Sequence, residues 1–351
     1  MSRPTAAATQ QSASTGTPAA VLSARRVEIR WNDALPVFAK EEFLKGVADE
    51  YGWFGGVAPD GTLRCILPFT VERRLGLRLV RFRTATIPFG APLALPEERT
   101  FLDGVVDHLR TAHADVIVPA TNNAIFRTYP TGADAAPYGS YVIDLERPEE
   151  LLWKSIGRIT RQNIGSAKAS GLRVREGHEF LGVAYALTRS TYRRSALPFM
   201  SEPAFQRYAR ALGEHGLLLV TERDGVVQSC TLFGFSRPCA YAIYGGNVPQ
   251  QDQGSMKLLQ WEAIRRFQAL GVKRFDFFGA RVNPAKGSKQ EGINLMKKRL
   301  GATLAEGYLW KYPLRPWRAM VYSVGARWLK GGDIVDQERY KLPDYRPRVE
   351  E

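Results

Sequence analysis

The 351-residue chain has little sulfur and few metal ligands. It holds three cysteines, Cys65, Cys230 and Cys239, and four histidines, His108, His113, His178 and His215. None falls in CxxC or Cys/His ligand spacing, so no zinc site or disulfide scaffold is expected. The cysteines read as small apolar fillers of strands in a reducing cytoplasm. GxxxxGK[ST], GxSxG, HExxH and GxGxxG are all missing, which removes the motif grounds for P-loop, hydrolase, metalloprotease and dinucleotide chemistry. No apolar run reaches the ~18 residues of a membrane span, and no long heptad stretch signals a coiled-coil arm. Residues 1–23 are rich in Ala, Ser, Thr, Gln and Pro without an apolar h-region, and read as a disordered tail rather than a signal peptide.

Positive charge is in excess. Lys and Arg number 49 against 35 Asp and Glu, a formal net charge of +14. Such an excess favours an anionic partner: RNA, a phosphorylated substrate, a nucleotide-linked cofactor or a membrane surface. Hydrophobic content of 44% is enough for sizeable cores, and the length suits two ordinary domains.

The hydrophobic pattern alternates between strands and helices. A strand is expected at VEIRW from Val27, a helix over Ala39–Glu50, and a hairpin turning at Asp60–Gly61. LRLVRFRT continues as strand. A helix over 96–114 carries Leu102, Val105, Val106 and Leu109 at helical spacing, and VIVPA and YVIDL follow as strands. Pro148–Ser170 reads as a helical stretch broken near Gly157, with Pro148 suited to a first helical position. LRVRE, helices over Glu179–Arg193 and Glu202–Glu214, three strands turning at Asp224–Gly225, and an amphipathic helix over Gly254–Leu270 come next. The order of helix, DG hairpin, strands, helix and strand thus recurs, which predicts two α/β (α+β) domains of related topology, joined near Leu145–Glu150.

The stretch Arg274–Gly301, RFDFFGARVNPAKGSKQEGINLMKKRLG, is the most informative in the chain. It predicts a buried strand over Arg274–Phe278, a polar loop with Gly279, Gly287 and Gly292, and a short helix ending in Lys297, Lys298 and Arg299. Glycines let a loop backbone approach an anion closely, and the basic helix end supplies cations. Chemistry by positioning and cationic stabilisation, such as acyl transfer to an amine, suits this equipment.

FDFFG at Phe275–Gly279, followed by Met296–Lys297–Lys298–Arg299–Leu300–Gly301, resembles the FDFxG and [FM]Kxx[FL]G motifs of the Fem family within the GNAT acyltransferases. Arg161–Gln162–Asn163–Ile164, then Ala167–Lys168 and Gly171–Leu172, resembles the family's RxxIxKAxxxGL stretch, with Lys and Ala transposed. Tyr244–Gly245 is a third match. Gln251–Asp252–Gln253–Gly254–Ser255–Met256 is similar to the [QR]xxGx[GA] acyl-CoA signature, from which Met256 departs.

The resemblance implies two GNAT-like domains, each a mixed, mostly antiparallel sheet flanked by helices: 24–147 with 303–345, and 148–302. It implies transfer of an amino acid from aminoacyl-tRNA to an amine of a peptidoglycan precursor held between them. Acyl-CoA, acting on a polysaccharide, nucleotide-sugar or natural-product amine, is the alternative donor. Lys297 and Tyr244 are then the expected catalytic pair, with Arg161, Lys168, Asp276, Arg281 and Lys289 on substrate and Gln251, Gly254 and Ser255 on CoA. No metal or bound cofactor is called for. The alternative for Lys297 is a solvated helix end, for Arg161 and Lys168 an exposed basic helix face, for Arg281 and Lys289 solvated loop cations, for Asp276 a hydrogen-bonded structural carboxylate, and for Tyr244 a cross-strand aromatic. Tyr308–Lys330 interleaves aromatics with cations, either as a peripheral contact with the inner membrane face or as a closing helix packed on the first domain. A cytoplasmic monomer is expected.

Overall fold

The computed structural model describes residues 22–342. Of the expected tail, residues 1–21 lie outside the described residues, while Leu22 is buried in the core and Ser23 opens the first strand.

In the first half, β1 (Ser23–Val27) precedes α1 (Glu41–Val47), and β2 (Glu50–Val57) turns into β3 (Leu63–Arg74). The first strand sits earlier than VEIRW because its partners on β2 run from Ser23 opposite Val57 to Val27 opposite Trp53. Next come β4 (Leu77–Phe82), the two-residue β5 (Ile87–Pro88), α2 (Leu95–Thr111), β6 (Val116–Ile117) and the long β7 (Asp134–Asp144). α2 has Pro96, Glu97 and Glu98 in its first turn, where a missing N–H and negative charge both suit the helix, and buries Phe101, Leu102, Val105, Val106 and Leu109.

The second half opens with α3 (Glu149–Ser155) and α4 (Arg158–Ala169), divided at Gly157 as the sequence predicts; Pro148 caps α3 from outside it. β8 (Arg173–Glu176), α5 (Leu181–Arg193), α6 (Glu202–Leu212), β9 (Gly216–Arg223), β10 (Val226–Ser236) and β11 (Cys239–Asn247) follow. α7 (Ser255–Ala269) leads to β12 (Arg274–Asp276), α8 (Lys289–Arg299), β13 (Thr303–Pro313), α9 (Pro316–Lys330) and α10 (Ile334–Arg339). α10, with Asp333 accepting from the backbone N–H groups of Val335 and Asp336, has no counterpart in the sequence reading.

The fold is mixed α/β with a mostly antiparallel sheet. Its strands join in the order β1-β2-β3-β4-β6-β13-β7-β12-β11-β10-β9-β8, with β5 against β3. The parallel pairs are β4 with β6 and β11 with β12, each bridged by one crossover helix, α2 and α7. The two halves exchange a strand at the centre. β7 follows β6 in the chain but lies on β12, while β13 follows β12 but lies on β6. β7 and β13 pair with each other from Val142 opposite Thr303 to Asp134 opposite Lys311.

One core fills each half, around Phe69, Phe101 and Trp310 in the first and Phe233, Phe267 and Phe275 in the second. A third joins them, packing Phe38, Phe43 and Trp53 with Phe205, Leu218 and Tyr241. Among the described residues no helix is long and apolar enough to cross a membrane.

Candidate active site

The parallel strands β11 and β12 share only two register positions, Ala240 with Phe275 and Tyr241 with Asp276. β12 is shorter than the predicted Arg274–Phe278 because Phe278 and Gly279 adopt φ of 59° and 90°, a left-handed bend that no strand accommodates. β11 continues to Asn247 on β10. The two strands therefore part, and a wedge opens between the end of β11 and the FDFFG bend.

A buried polar network holds the base of this wedge. The Phe278 N–H donates to Asp276 Oδ1 at 2.7 Å, and the Ser140 hydroxyl of β7 donates to the same oxygen. The Gly279 N–H donates to Ser140 Oγ at 2.9 Å, and Lys297 Nζ of α8 donates to the Gly279 carbonyl. Gly279 is thereby pinned at both ends. A side chain could not replace its hydrogen, since a Cβ there would lie 2.8 Å from Asn122 Cβ.

Lys297 and Asp276 are 6% and 4% exposed. Burial lowers the Lys297 ammonium to about 8, with the Asp276 charge opposing. Burial likewise raises the Asp276 carboxyl, against the Ser140 and Phe278 hydrogen bonds and the Arg274 and Lys297 charges. Both shifts thus have the same origin. A lysine of pKa near 8 is still mainly cationic at neutral pH, able to stabilise an oxyanion or deliver a proton.

Across the wedge the first half presents a feature not singled out from the sequence. Arg83, just beyond β4, is buried; its guanidinium donates to Thr70 Oγ1 at 2.7 Å and to Glu72 Oε1 at 3.0 Å. Burial lowers its pKa, and the Tyr208 and Tyr244 hydroxyls are among the groups coupled to its charge. Burial also pushes the Tyr244 phenol well up, with Tyr192 adding to the shift and Arg83 opposing it. Tyr244 lies on β11 within an aromatic group, 5.3 Å from Tyr208 and 5.4 Å from Phe199 between ring centroids. The signal for Arg83 was available: in LRLVRFR, Arg81 and Arg83 alternate with Val80 and Phe82, which puts both arginines on one face.

The other expected site residues are distributed as follows. Arg161 of α4 donates to the carbonyls of Trp153, Lys154 and Ile156, satisfying the C-terminal end of α3. Lys168 pairs with Glu262 of α7 at 2.7 Å. Arg281 pairs with the buried Glu338 of α10 at 2.7 Å, and Lys289 donates to Ser195 Oγ beyond α5. Gln251 is exposed before α7. Gly254 caps α7 with φ of 87°, so close to α4 that a Cβ would lie 2.3 Å from the Asn163 carbonyl oxygen. Ser255 Oγ is buried against Thr221 and Ser229 at 2.6 and 2.7 Å. The structure thus unites Lys297 with Asp276, sets Tyr244 beyond the FDFFG bend, and uses Arg161 and Lys168 to fasten helices.

A hollow of about 670 Å³ lies elsewhere, between β1, β2 and α2. Its lining Arg78 is held by Glu50 at 2.7 Å and its Arg26 donates to the Tyr51 carbonyl at 3.2 Å, and none of the Lys297 network lines it.

Residues 157–286, which contain the wedge, match the family model of the acetyltransferase (GNAT) domain. No curated protein matches the chain. Among solved structures, the crystal structure of FemX is 15% identical and aligns over 83% of this chain and 93% of its own, with a TM-score of 0.60. The C-terminal domain of a putative lysylphosphatidylglycerol synthetase from Agrobacterium fabrum is 12% identical over 84% of this chain and 93% of its own, with a TM-score of 0.52. The chain is therefore an acyltransferase that carries a GNAT domain at residues 157–286, within a fold like that of FemX spanning both halves.

Proposed function

We propose that the protein transfers an aminoacyl group from aminoacyl-tRNA to an amine of a peptidoglycan precursor. The observation that carries this reading is the buried network of Lys297, Gly279, Ser140 and Asp276 at the base of the wedge, in which all but Ser140 lie on the FDFFG and MKKRLG motifs resembling those of the Fem family. The acceptor amine attacks the ester carbonyl of the donor. A tetrahedral intermediate forms, and its negative charge is met by the Lys297 ammonium and by backbone N–H groups at the wedge edge. The C–O bond to the tRNA ribose then breaks, the amine proton is lost, and the departing hydroxyl gains a proton. Asp276 keeps Lys297 charged, and the aromatic group around Tyr244 excludes water.

The mouth of α7 supports the RNA donor over acyl-CoA. Ser255 spends its hydroxyl on buried partners, and the carboxylate of Asp252, paired with Arg223 at 3.1 Å, stands in the loop where a pyrophosphate would approach. Acyl-CoA remains the second reading, favoured by the GNAT domain match and by the left-handed Gly254 that opens the α7 N-terminus.

The purified chain should transfer labelled amino acid from a mixture of charged tRNAs to a nucleotide-linked stem peptide. Tight binding of CoA with no use of any charged tRNA would reject the first reading in favour of the second.

A further inference from the structure

α9 carries its apolar stripe on the wrong side for a core helix. Its inner face, Ala319 and Tyr322, packs on Leu77, Leu79, Val116 and Val118. Its outer face holds Trp317, Met320, Val321, Val324 and Trp328, which are 63, 47, 51, 63 and 87% exposed. At 3.6 residues per turn these five side chains fall within an arc of about 100°. Segment 315–328 contains no acidic residue.

The stripe is continued by a second exposed element. Arg318 lies over the Trp317 ring at 4.8 Å and donates to the Gly76 carbonyl at 3.1 Å, tying α9 to the β3–β4 turn. Leu75, at the tip of that turn, is 94% exposed with φ of 49°, and Arg73 and Arg74 precede it. Behind the turn, a groove of about 370 Å³ is lined by Arg73, Arg78, Arg315 and Arg318, with His113 and the buried Asp115 at its base. Asp115 faces Arg318 at 3.1 Å and Arg315 at 3.7 Å, and Glu50 holds Arg73 and Arg78. Four guanidinium groups thus face two carboxylates, so the groove keeps a positive excess.

We propose that this surface docks the protein onto an anionic lipid bilayer. The α9 stripe and Leu75 enter the boundary between headgroups and acyl chains, and the arginine groove receives lipid phosphates. Indole rings at both ends of the stripe suit that boundary, and arginines beside it can reach headgroups while their stems stay apolar. A second copy of the chain fits less well, because a two-fold contact here would set the same arginines against each other. The docking is independent of which acyl donor the enzyme uses.

The test is co-sedimentation of the full chain with vesicles of phosphatidylcholine, with or without roughly one third phosphatidylglycerol. The chain should bind the anionic vesicles, release them as salt is raised, and leave neutral vesicles in solution. Trp317→Ser/Trp328→Ser and, separately, Leu75→Ser/Arg74→Ser should each weaken binding by about tenfold or more without changing the thermal melt, since the altered side chains are exposed. Failure of the parent chain to bind anionic vesicles, or equal binding by the Trp variant, would overturn the proposal. So would a vesicle-free dimer that the Trp variant converts to a monomer.

Discussion

Lys297 keeps a positive charge where burial opposes one. Its pKa falls from 10.5 to about 8, so the folded state binds fewer protons than the unfolded chain between those values. Stability from this group is complete above pH 10.5, declines as pH falls from 10.5 to 8, and below that stands lower by on the order of 3 kcal/mol. Lys297→Met removes the penalty while keeping the volume. The variant should unfold at equal or higher denaturant at pH 7, and its advantage over the parent should shrink as pH rises from 8 to 10.5. Its kcat/KM should fall by about 100-fold or more if the ammonium meets the oxyanion. A fully active variant would make Lys297 only a strut for Gly279. The partners on its own helix and the FDFFG bend were legible because they are close in sequence. Ser140 was not, since it joins Asp276 across a separation of 136 residues.

At the scale of elements, a glycine sets how closely α7 approaches α4. Gly254 joins a left-handed φ to a carbonyl contact with α4, so Gly254→Ala meets both strain and a clash. It should lower stability by roughly 2 kcal/mol or more, read as a drop in the denaturant midpoint. Gly165 is the contrast: it lies inside α4 with open space where a Cβ would point. Gly165→Ala should raise stability by about 0.5–1 kcal/mol. Loss at both positions would mean that the α4–α7 packing differs from that described. The order of these elements followed from periodicity and turn residues, and Gly157 divided α3 from α4 where the sequence placed the break. The early end of β12 did not follow, because Phe278 is a good strand residue bent by contacts on both sides, to Phe38 and to Tyr241.

For the whole molecule, the exchange of β7 and β13 makes each half depend on the other. Separating them would strip the edges of β12 and β6 together. Unfolding should therefore be a single transition, and the cysteines report it. Cys65 lies in the first half and Cys230 and Cys239 in the second; all three are free and buried. Burial raises their thiols to about 12, 11 and 12, so little thiolate exists in the folded state. In moderate denaturant the three should react with a thiol reagent at one common rate, matching the loss of structure. A Cys65 rate distinct from the other two would show that the halves open separately.

Sequence alone determined the succession of elements, the positive excess and the contiguous FDFFG and MKKRLG motifs. Each of these rests on local periodicity, composition or residues near one another in the chain. The tertiary structure decided what those residues meet: Lys297 on the Gly279 carbonyl, Ser140 and Arg83 at the wedge, Arg161 and Lys168 on neighbouring helices, and the outward stripe of α9. These pairings depend on which strand lies beside which: β7 joins β12 of the half that the chain has yet to form, and β13 joins β6 of the half that it left long before. Local patterns carry no record of that exchange, because an apolar strand has the same alternation whichever neighbour it joins.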